Sequence, residues 1–346
     1  MTVRVGINGF GRIGKNVYRS VLARAQEQGD DSVEVVAVND LTDPQTHAHL
    51  LAYDSTYGRL GQEVTVTEDG LRVGDRELRV LAERDPKALP WGDLGVDVVI
   101  ESTGIFTDGK QASAHIEAGA KRVIISAPAK NVDATFVIGV NDDTYDPAKH
   151  TVVSNASCTT NCIVPMVKVL DDAFGVRTGL MTTAHAYTND QNLLDLVHKD
   201  MRRARAAAVN IVPSSTGAAR ATGLVLESMQ GKLDGTALRV PVQCGSITDF
   251  TAVVNAEVEP DDVNQAFERA ASDGPLAKVL VYTEDPIVSS DVVRSPASCT
   301  FDSLLTMVMP ISDGISLVKV LGWYDNEWGY SNRLVDLAKV VGASPS

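Results

Sequence analysis

The first part of the chain alternates short apolar runs with stretches of helical period. TVRVGI (residues 2–7) is a β-rich run, followed by NGFGRIG and by a stretch that predicts a helix to about Gln28. VEVVAVND (residues 33–40) is apolar nearly throughout, the pattern of a parallel strand covered on both faces. TDPQTHAHLLAYD predicts a second helix. EVTVTEDGLRVGDRELRVL then switches to alternation, with turn signals at Asp69-Gly70 and Gly74-Asp75, and predicts an antiparallel insertion. VDVVIEST and KRVIISAP restore the buried-strand pattern, with a helix expected over residues 109–118 between them. Alternating strands and helices imply an α/β fold with a doubly wound parallel sheet.

Beyond Asn155 the pattern changes. TTNCIVPMVKVLDDAF predicts an amphipathic helix with Ser157 or Thr159 as its cap. RTGLMTTAHAYT, GTALRVPVQ, GSITDFTAVVNAEV and ISLVKVLGWYD are long strand-like runs, and PDDVNQAFERAAS is helical. Together they imply an α+β domain with a largely antiparallel sheet. NEWGYSNRLVDLAKVVGA predicts a closing helix. The expected division is a first domain over 1–154 and a second over 155–326, with the closing helix, about 327–346, packed back on the first.

Composition narrows the function more than the fold. At 346 residues the chain is long enough for two domains with a large core, and 44% hydrophobic with 22% charged residues is ordinary for a globular protein. A net charge of −14 opposes nonspecific binding to nucleic acid or an anionic membrane, while leaving room for a local basic pocket. HKDMRRARAAA (residues 198–208) is basic but short and without interleaved aromatics, so no nucleic-acid partner is expected. No apolar run approaches the roughly 18 residues of a membrane span. MTVRVGINGFGRIGKN lacks a signal-peptide layout, so the expected location is cytoplasmic. Four scattered cysteines do not make a disulfide framework.

Two stretches carry chemistry. Gly9, Gly11 and Gly14 form G-x-G-x-x-G between a strand and a helix, where backbone can approach a pyrophosphate and the helix N-terminus supplies N–H groups. Asp40 ends the second strand, where a carboxylate accepts from a ribose diol and repels a 2′-phosphate, which favours NAD over NADP. A structural turn with a capping Asp is the bland alternative, and both signals together point to a dinucleotide. In SNASCTTNC, Cys158 and Cys162 lie four apart and share a helix face. A closed zinc site needs two more ligands, and Cys244 and Cys299 are not flanked by histidines, so no metal is expected. Cys162 sits inside the apolar run as packing. Cys158 stands at the helix start, where peptide dipoles should lower its pKa. A lone His near a strand end is more often an ordinary residue. Beside such a thiol, His185 in TTAHAYTND is expected to hold an ion pair and then move protons.

INGFGRIG, VAVNDL, STGIF, ISAPAK, SNASCTTNC, TTAHAYTNDQ, RRARAAA, STGAAR, LRVPV and GWYDNEWGYSNR together resemble the phosphorylating, NAD-dependent glyceraldehyde-3-phosphate dehydrogenases over nearly the whole chain. The resemblance implies a Rossmann-type NAD-binding domain followed by a catalytic domain. It implies oxidation of D-glyceraldehyde 3-phosphate to 1,3-bisphosphoglycerate with NAD and inorganic phosphate. Cys158 would form the thiohemiacetal and thioester, with His185 as base. Thr188 and Arg239 would hold the substrate phosphate, with Asp190 orienting Arg239. Ser157, Thr159, Thr216, Gly217 and Arg203 would hold inorganic phosphate. To Gly9, Gly11, Gly14 and Asp40 it adds Arg12, Ile13, Arg84 and Ser126 as cofactor contacts, Asn326 at the carboxamide and Tyr330 near the nicotinamide ring. NLLDLVHKDMRRARAAAVNIVP resembles a loop that contacts a neighbour's cofactor pocket, which implies a homotetramer.

Several positions depart from the family's usual pattern: Ala184, Asn192, Val197 and the pair Gln243-Cys244. Val197 in place of a proline relaxes the loop and lies at or beside the position that selects the cofactor. An NADP-preferring paralogue is therefore one alternative, opposed by Leu196 and Asp40. An inhibitor-resistant paralogue is a second, since the changes gather near the thiol and the loop. Erythrose-4-phosphate dehydrogenase is a third, opposed by Ala186-Tyr187-Thr188 and Ser215-Thr216-Gly217. A non-catalytic binding protein on this fold would have no need of an activated thiol.

Overall fold

A computed structural model describes residues 2–343, and the chain divides into two units. The first comprises residues up to 136, 142–156 and those from 331 on; the second comprises 137–141 and 157–330. Residues 1 and 344–346 of the expected domain ranges lie outside the described residues.

In the first unit β1 (Val3–Asn8) leads through α1 (Arg12–Gln28) to β2 (Val33–Asn39), α2 (Pro44–Ala52) and a small hairpin of β3 (Tyr53–Asp54) and β4 (Gly58–Arg59). A meander follows: β5 (Val64–Val66), β6 (Gly70–Val73) and β7 (Arg76–Leu81). Next come β8 (Val98–Glu101), the short helices α3 (Gly109–Ala112) and α4 (Ala114–Glu117), β9 (Arg122–Ile125), β10 (Ala134–Thr135) and β11 (Val152–Ser154). The sheet runs β10-β11-β9-β8-β1-β2-β7-β6-β5, and every neighbouring pair from β10 to β7 is parallel. The insertion is antiparallel within itself, while β7 extends the parallel sheet beside β2. The helix expected over 109–118 is two short ones, split at Ser113, whose hydroxyl bonds back to the Lys110 carbonyl at 2.8 Å. Strand order reverses about β1, so a crevice opens at the carboxyl ends of β1 and its neighbours.

The second unit begins with α5 (Cys158–Phe174) and β12 (Val176–Ala186). After a long connection come β13 (Val212–Ser215), α6 (Ala218–Val225), β14 (Leu233–Val240), β15 (Ser246–Val254) and α7 (Pro260–Ser272). β16 (Leu280–Thr283), β17 (Cys299–Asp302), β18 (Met307–Ser312) and β19 (Ile315–Tyr324) complete a sheet ordered β13-β14-β12-β15-β19-β17-β16, with β18 on β19. Only β12 with β14 and β16 with β17 pair in parallel, so the sheet is largely antiparallel. Burial alternates strictly along β15 and β19, and α5 covers the buried face. Gly322 on β19 permits that approach: a Cβ there would meet Cys299 Sγ at 2.5 Å and Met166 Sδ at 2.7 Å.

The closing helix is α8 (Trp328–Gly342), whose residues from Ser331 belong to the first unit. There Arg24 of α1 reaches Asp336 at 2.5 Å and Asn332 Oδ1 at 3.0 Å, and Lys339 pairs with Asp30. Among the described residues no helix is long and apolar enough to cross a membrane.

Candidate active site

In the first unit the expected cofactor residues all follow the carboxyl ends of parallel strands. Gly9, Gly11, Arg12, Ile13 and Gly14 follow β1, Asp40 follows β2, Arg84 follows β7 and Ser126 follows β9. Gly9 has φ +94, and a Cβ there would meet the Thr103 nitrogen at 2.6 Å; one on Gly14 would meet the Gly9 carbonyl oxygen at 2.2 Å. Gly11 has nothing within 4 Å of where its Cβ would stand, and as the α1 N-cap it offers no side chain to the first-turn N–H groups. An open, uncapped helix start fits the diphosphate of NAD. Asp40 accepts from the Phe10 N–H at 2.9 Å and the Thr42 N–H at 3.0 Å. Burial works to raise its pKa, but these bonds, the Thr42 hydroxyl and His47 hold it below the ordinary carboxylate value. The Arg12 guanidinium pairs with Asp54 at 2.8 Å, while Arg84 is exposed.

Sequence reasoning missed the buried polar chain that braces this edge. Asn8 donates to Glu101 at 2.6 Å, Asn39 donates to Asn8 Oδ1 at 2.7 Å, and Asn39 Oδ1 accepts from the Glu83 N–H at 2.8 Å. Trp91 Nε1 lies 3.0 Å from His115 Nδ1, and His115 Nε2 lies 3.0 Å from Glu101 Oε2. An indole N–H only donates, so Nδ1 accepts and Nε2–H donates to Glu101. The only signal in the sequence was a polar residue closing each apolar run.

The second unit holds the thiol. Ala156, just before it in the chain, has φ +55, a left-handed conformation rare for alanine. Ser157 caps α5, its hydroxyl accepting from the Thr160 N–H at 3.0 Å, and Cys158 is the first helical residue. Cys158 Sγ lies 3.4 Å from His185 Nε2 at the end of β12. His185 Nδ1 lies 2.7 Å from the Ala186 carbonyl oxygen, which only accepts, and 3.0 Å from Arg239 Nη1, which only donates. Because Nη1 has the same carbonyl as its own acceptor at 3.1 Å, the arrangement that leaves no lone pair against the carbonyl puts the proton on Nδ1 and turns the Nε2 lone pair to the sulfur. Arg239 on β14 is paired in register with His185 and reaches the Ala186 carbonyl at 3.1 Å and Thr188 Oγ1 at 3.3 Å.

The thiol pKa is not lowered as expected but raised. Burial pushes Cys158 up, with Arg239 and the Thr159 N–H and hydroxyl opposing. Burial and then Arg239 push His185 down to about 3. Desolvation outweighs the helix start at both groups, so this geometry favours the thiol and the neutral imidazole over the expected ion pair. Tyr324 was also missed. Its buried hydroxyl lies 2.9 Å from both Thr159 Oγ1 and Thr183 Oγ1, and its ring meets His185 edge to face at 5.9 Å. β19 brings it there from 166 positions beyond Cys158, a distance no local motif encodes.

The anion-binding candidates separate. Thr188 and Arg239 stand together beside His185. Asp190, expected to orient Arg239, instead pairs with Arg203 and lies 3.5 Å from His198. The turn after β12 carries its carboxylate out to the loop, so its effect on Arg239 is through the field alone. Arg203 also reaches Ser214 Oγ at 3.4 Å, and its charge helps depress both His185 and Arg239. Thr216 accepts from the Ala218 N–H at 3.2 Å, and Gly217 opens α6 without a side-chain cap. Thr159 turns its hydroxyl to Tyr324, and its backbone N–H, in the first turn of α5, is directed to the Cys158 sulfur. Asn326 Oδ1 accepts from Ser246 Oγ at 3.0 Å, and Tyr330 is buried at the start of α8.

Cys162 and Cys299, far apart in sequence, meet in the core beneath Gly322, and Cys244 Sγ lies 3.2 Å from Asp325. Among the described residues no group of three metal-ligating side chains is present. The loop after β12 carries exposed Leu193, Leu194, Leu196, Val197 and Met201.

Two family models match the chain: the glyceraldehyde 3-phosphate dehydrogenase NAD binding domain over residues 3–109, and the C-terminal domain of the same family over 157–326. The chain is 63% identical over 342 residues to glyceraldehyde-3-phosphate dehydrogenase of Streptomyces coelicolor, covering 99% of each chain. It is 60% identical over 344 residues to glyceraldehyde-3-phosphate dehydrogenase 2 of Streptomyces arenae, and 60% identical over 346 residues to the Mycobacterium avium enzyme, covering 99% of this chain and all of each relative.

Proposed function

The chain belongs to the glyceraldehyde-3-phosphate dehydrogenase family and is an NAD-dependent oxidoreductase, and from that premise we propose that it phosphorylates as it oxidises. The reaction is oxidation of D-glyceraldehyde 3-phosphate to 1,3-bisphosphoglycerate, with Cys158 as nucleophile and His185 as base. The observation that carries this reading is the 3.4 Å approach of Cys158 Sγ to an imidazole nitrogen whose lone pair faces it.

As the sulfur adds to the aldehyde carbon, its proton passes to His185 Nε2 and from there to the former carbonyl oxygen, which leaves a thiohemiacetal hydroxyl and a free Nε2 lone pair. Nε2 can later take the thiohemiacetal hydroxyl proton, while Nδ1–H stays anchored on the Ala186 carbonyl. Bound NAD supplies the two-electron acceptor that turns the thiohemiacetal into a thioester. A thioester keeps acyl-transfer potential and its thiolate leaves readily, which explains a thiol at this position. Arg239 and Thr188 would hold the substrate phosphate. That anion offsets the cation which helps to depress His185, so substrate binding strengthens the base. Arg203, Thr216, Gly217, Thr159 and Ser157 would hold inorganic phosphate. For NAD, Gly9, Gly11, Ile13 and Gly14 would receive the diphosphate and Asp40 the adenosine ribose, with Arg12, Arg84 and Ser126 as further cofactor contacts. Asn326 would meet the carboxamide and Tyr330 the ring. The exposed loop would join chains into a homotetramer.

The test is NADH formation from glyceraldehyde 3-phosphate with and without phosphate, run beside NADP and erythrose 4-phosphate, with Cys158→Ser as blank. Fast, phosphate-dependent reduction of NAD alone is expected. Activity chiefly with NADP or with erythrose 4-phosphate would replace this reading.

A further inference from the structure

We infer that Ser246 is a positioning residue that sets which way the Asn326 amide points, and that it does so while held by the N–H of Ala186, at the end of the strand carrying His185. The inference rests on Asn326 being the contact for the nicotinamide carboxamide. Ser246 is fully buried at the start of β15, in register opposite Tyr324 of β19. Its Oγ accepts the Ala186 N–H at 3.0 Å, where β12 has run past its last rung with β15, at Ala184 and Ile247. The same Oγ lies 3.0 Å from Asn326 Oδ1, and Asn326 is buried.

The hydrogen count decides the orientation. A backbone N–H can only donate, so the lone pair it uses on Ser246 is spoken for, and the single hydroxyl hydrogen is directed to Asn326. A hydroxyl donor demands an acceptor, so the carbonyl limb of Asn326 faces Ser246 and the NH2 limb faces the other way. With the amide reversed, Ser246 would accept twice and its hydrogen would be buried without a partner, which is unfavourable. The limb presented to a ligand is therefore a donor, and a donor selects the carbonyl oxygen of a carboxamide. The Ala186 N–H belongs to the residue whose carbonyl anchors His185 Nδ1. One peptide segment thus aligns the proposed base, and through Ser246 the proposed carboxamide contact.

The test is a double-mutant cycle read by binding, with Ser246→Ala, Asn326→Ala and the pair, titrating the ligand-free enzyme with NAD and with ADP-ribose, which lacks the nicotinamide. Ser246→Ala removes one oxygen atom from a buried site, and its thermal midpoint is measured alongside. The expected result is NAD binding weakened about tenfold by Ser246→Ala, with ADP-ribose affinity unchanged and almost no further effect in the Asn326→Ala background. Equal losses for NAD and ADP-ribose, or the same NAD loss in both backgrounds, would overturn the inference and leave the Asn326 assignment standing. Asn326→Ala without effect on NAD would remove that assignment and the inference with it.

Discussion

At the residue scale the site is governed by one guanidinium among groups that burial drives toward neutrality. Arg239 opposes the desolvation of Cys158 and reinforces that of His185. Reaction of the ligand-free enzyme with iodoacetamide should therefore rise with pH along a limb displaced above the ordinary thiol pKa of about 8.5. Arg239→Met removes the opposing cation, so its limb should lie higher still and its rate at pH 7 should fall several-fold. A free-enzyme limb below the ordinary thiol value, or identical profiles for the two proteins, would refute this account of the pair. His185→Asn keeps a buried polar side chain without the basic Nε2. It should lower kcat about 10²–10⁴-fold, the usual contribution of a positioned general base, while leaving NAD affinity unchanged. Loss of NAD binding in that variant would assign His185 a different role.

At the element scale, the structure sets one helix against another through a buried charge cluster. Asp336 of α8 is 2.5 Å from Arg24 of α1 and 2.6 Å from Arg333, whose side chain is only 4% exposed. Burial works to raise the Asp336 pKa, but the two guanidinium groups hold it down. Asp336→Ala strips that carboxylate from two cations and should cost about 3–5 kcal/mol of unfolding free energy. In the parent protein the stability linked to this ionised carboxylate is present above the ordinary carboxylate pKa of about 3.9 and is lost progressively as pH falls from there through the lowered folded-state pKa. Urea titrations at pH 7 and pH 3 check both statements: a loss under 1 kcal/mol at pH 7, or an equal loss at both pH values, would contradict them. Elements were legible where the signal was local. The period of NGFGRIG and the run to Gln28 matched α1 because a strand, a glycine turn and a helix follow one another within one βα unit. PDDVNQAFERAAS announced α7 through its first-turn proline and acids. β13, β16, β17 and β18 went unread because they are short or, like β18, mostly exposed, so no apolar face marks them.

At the scale of the whole molecule, the site divides into a part that sequence spacing carries and a part that register assembles. Cys158 and the Gly9–Gly11–Gly14 turn were readable because their chemistry lies within one short stretch. Tyr324 and Ser246 were not, because each is brought in by a strand remote in sequence, and the Glu101–His115 pair was not, because its two residues lie on separate elements that no local motif joins. Asp190 was placed on the wrong partner for the same reason, since its choice between Arg203 and Arg239 depends on the path of the loop after β12. That loop also bears on assembly. Val197 is 93% exposed, and Leu193, Leu194, Leu196 and Met201 beside it are exposed as well. A chain with net charge −14 repels its copies, so association needs apolar burial to exceed that repulsion. Each such side chain contributes about 1.5–3 kcal/mol when fully covered, so four or five of them per loop are sufficient for a stable contact. Sedimentation velocity on the purified protein should give a tetramer, and Leu194→Asp with Val197→Asp should shift it to smaller species while far-ultraviolet circular dichroism is retained. A monomeric parent protein, or a variant that sediments unchanged, would show that this loop does not join the subunits.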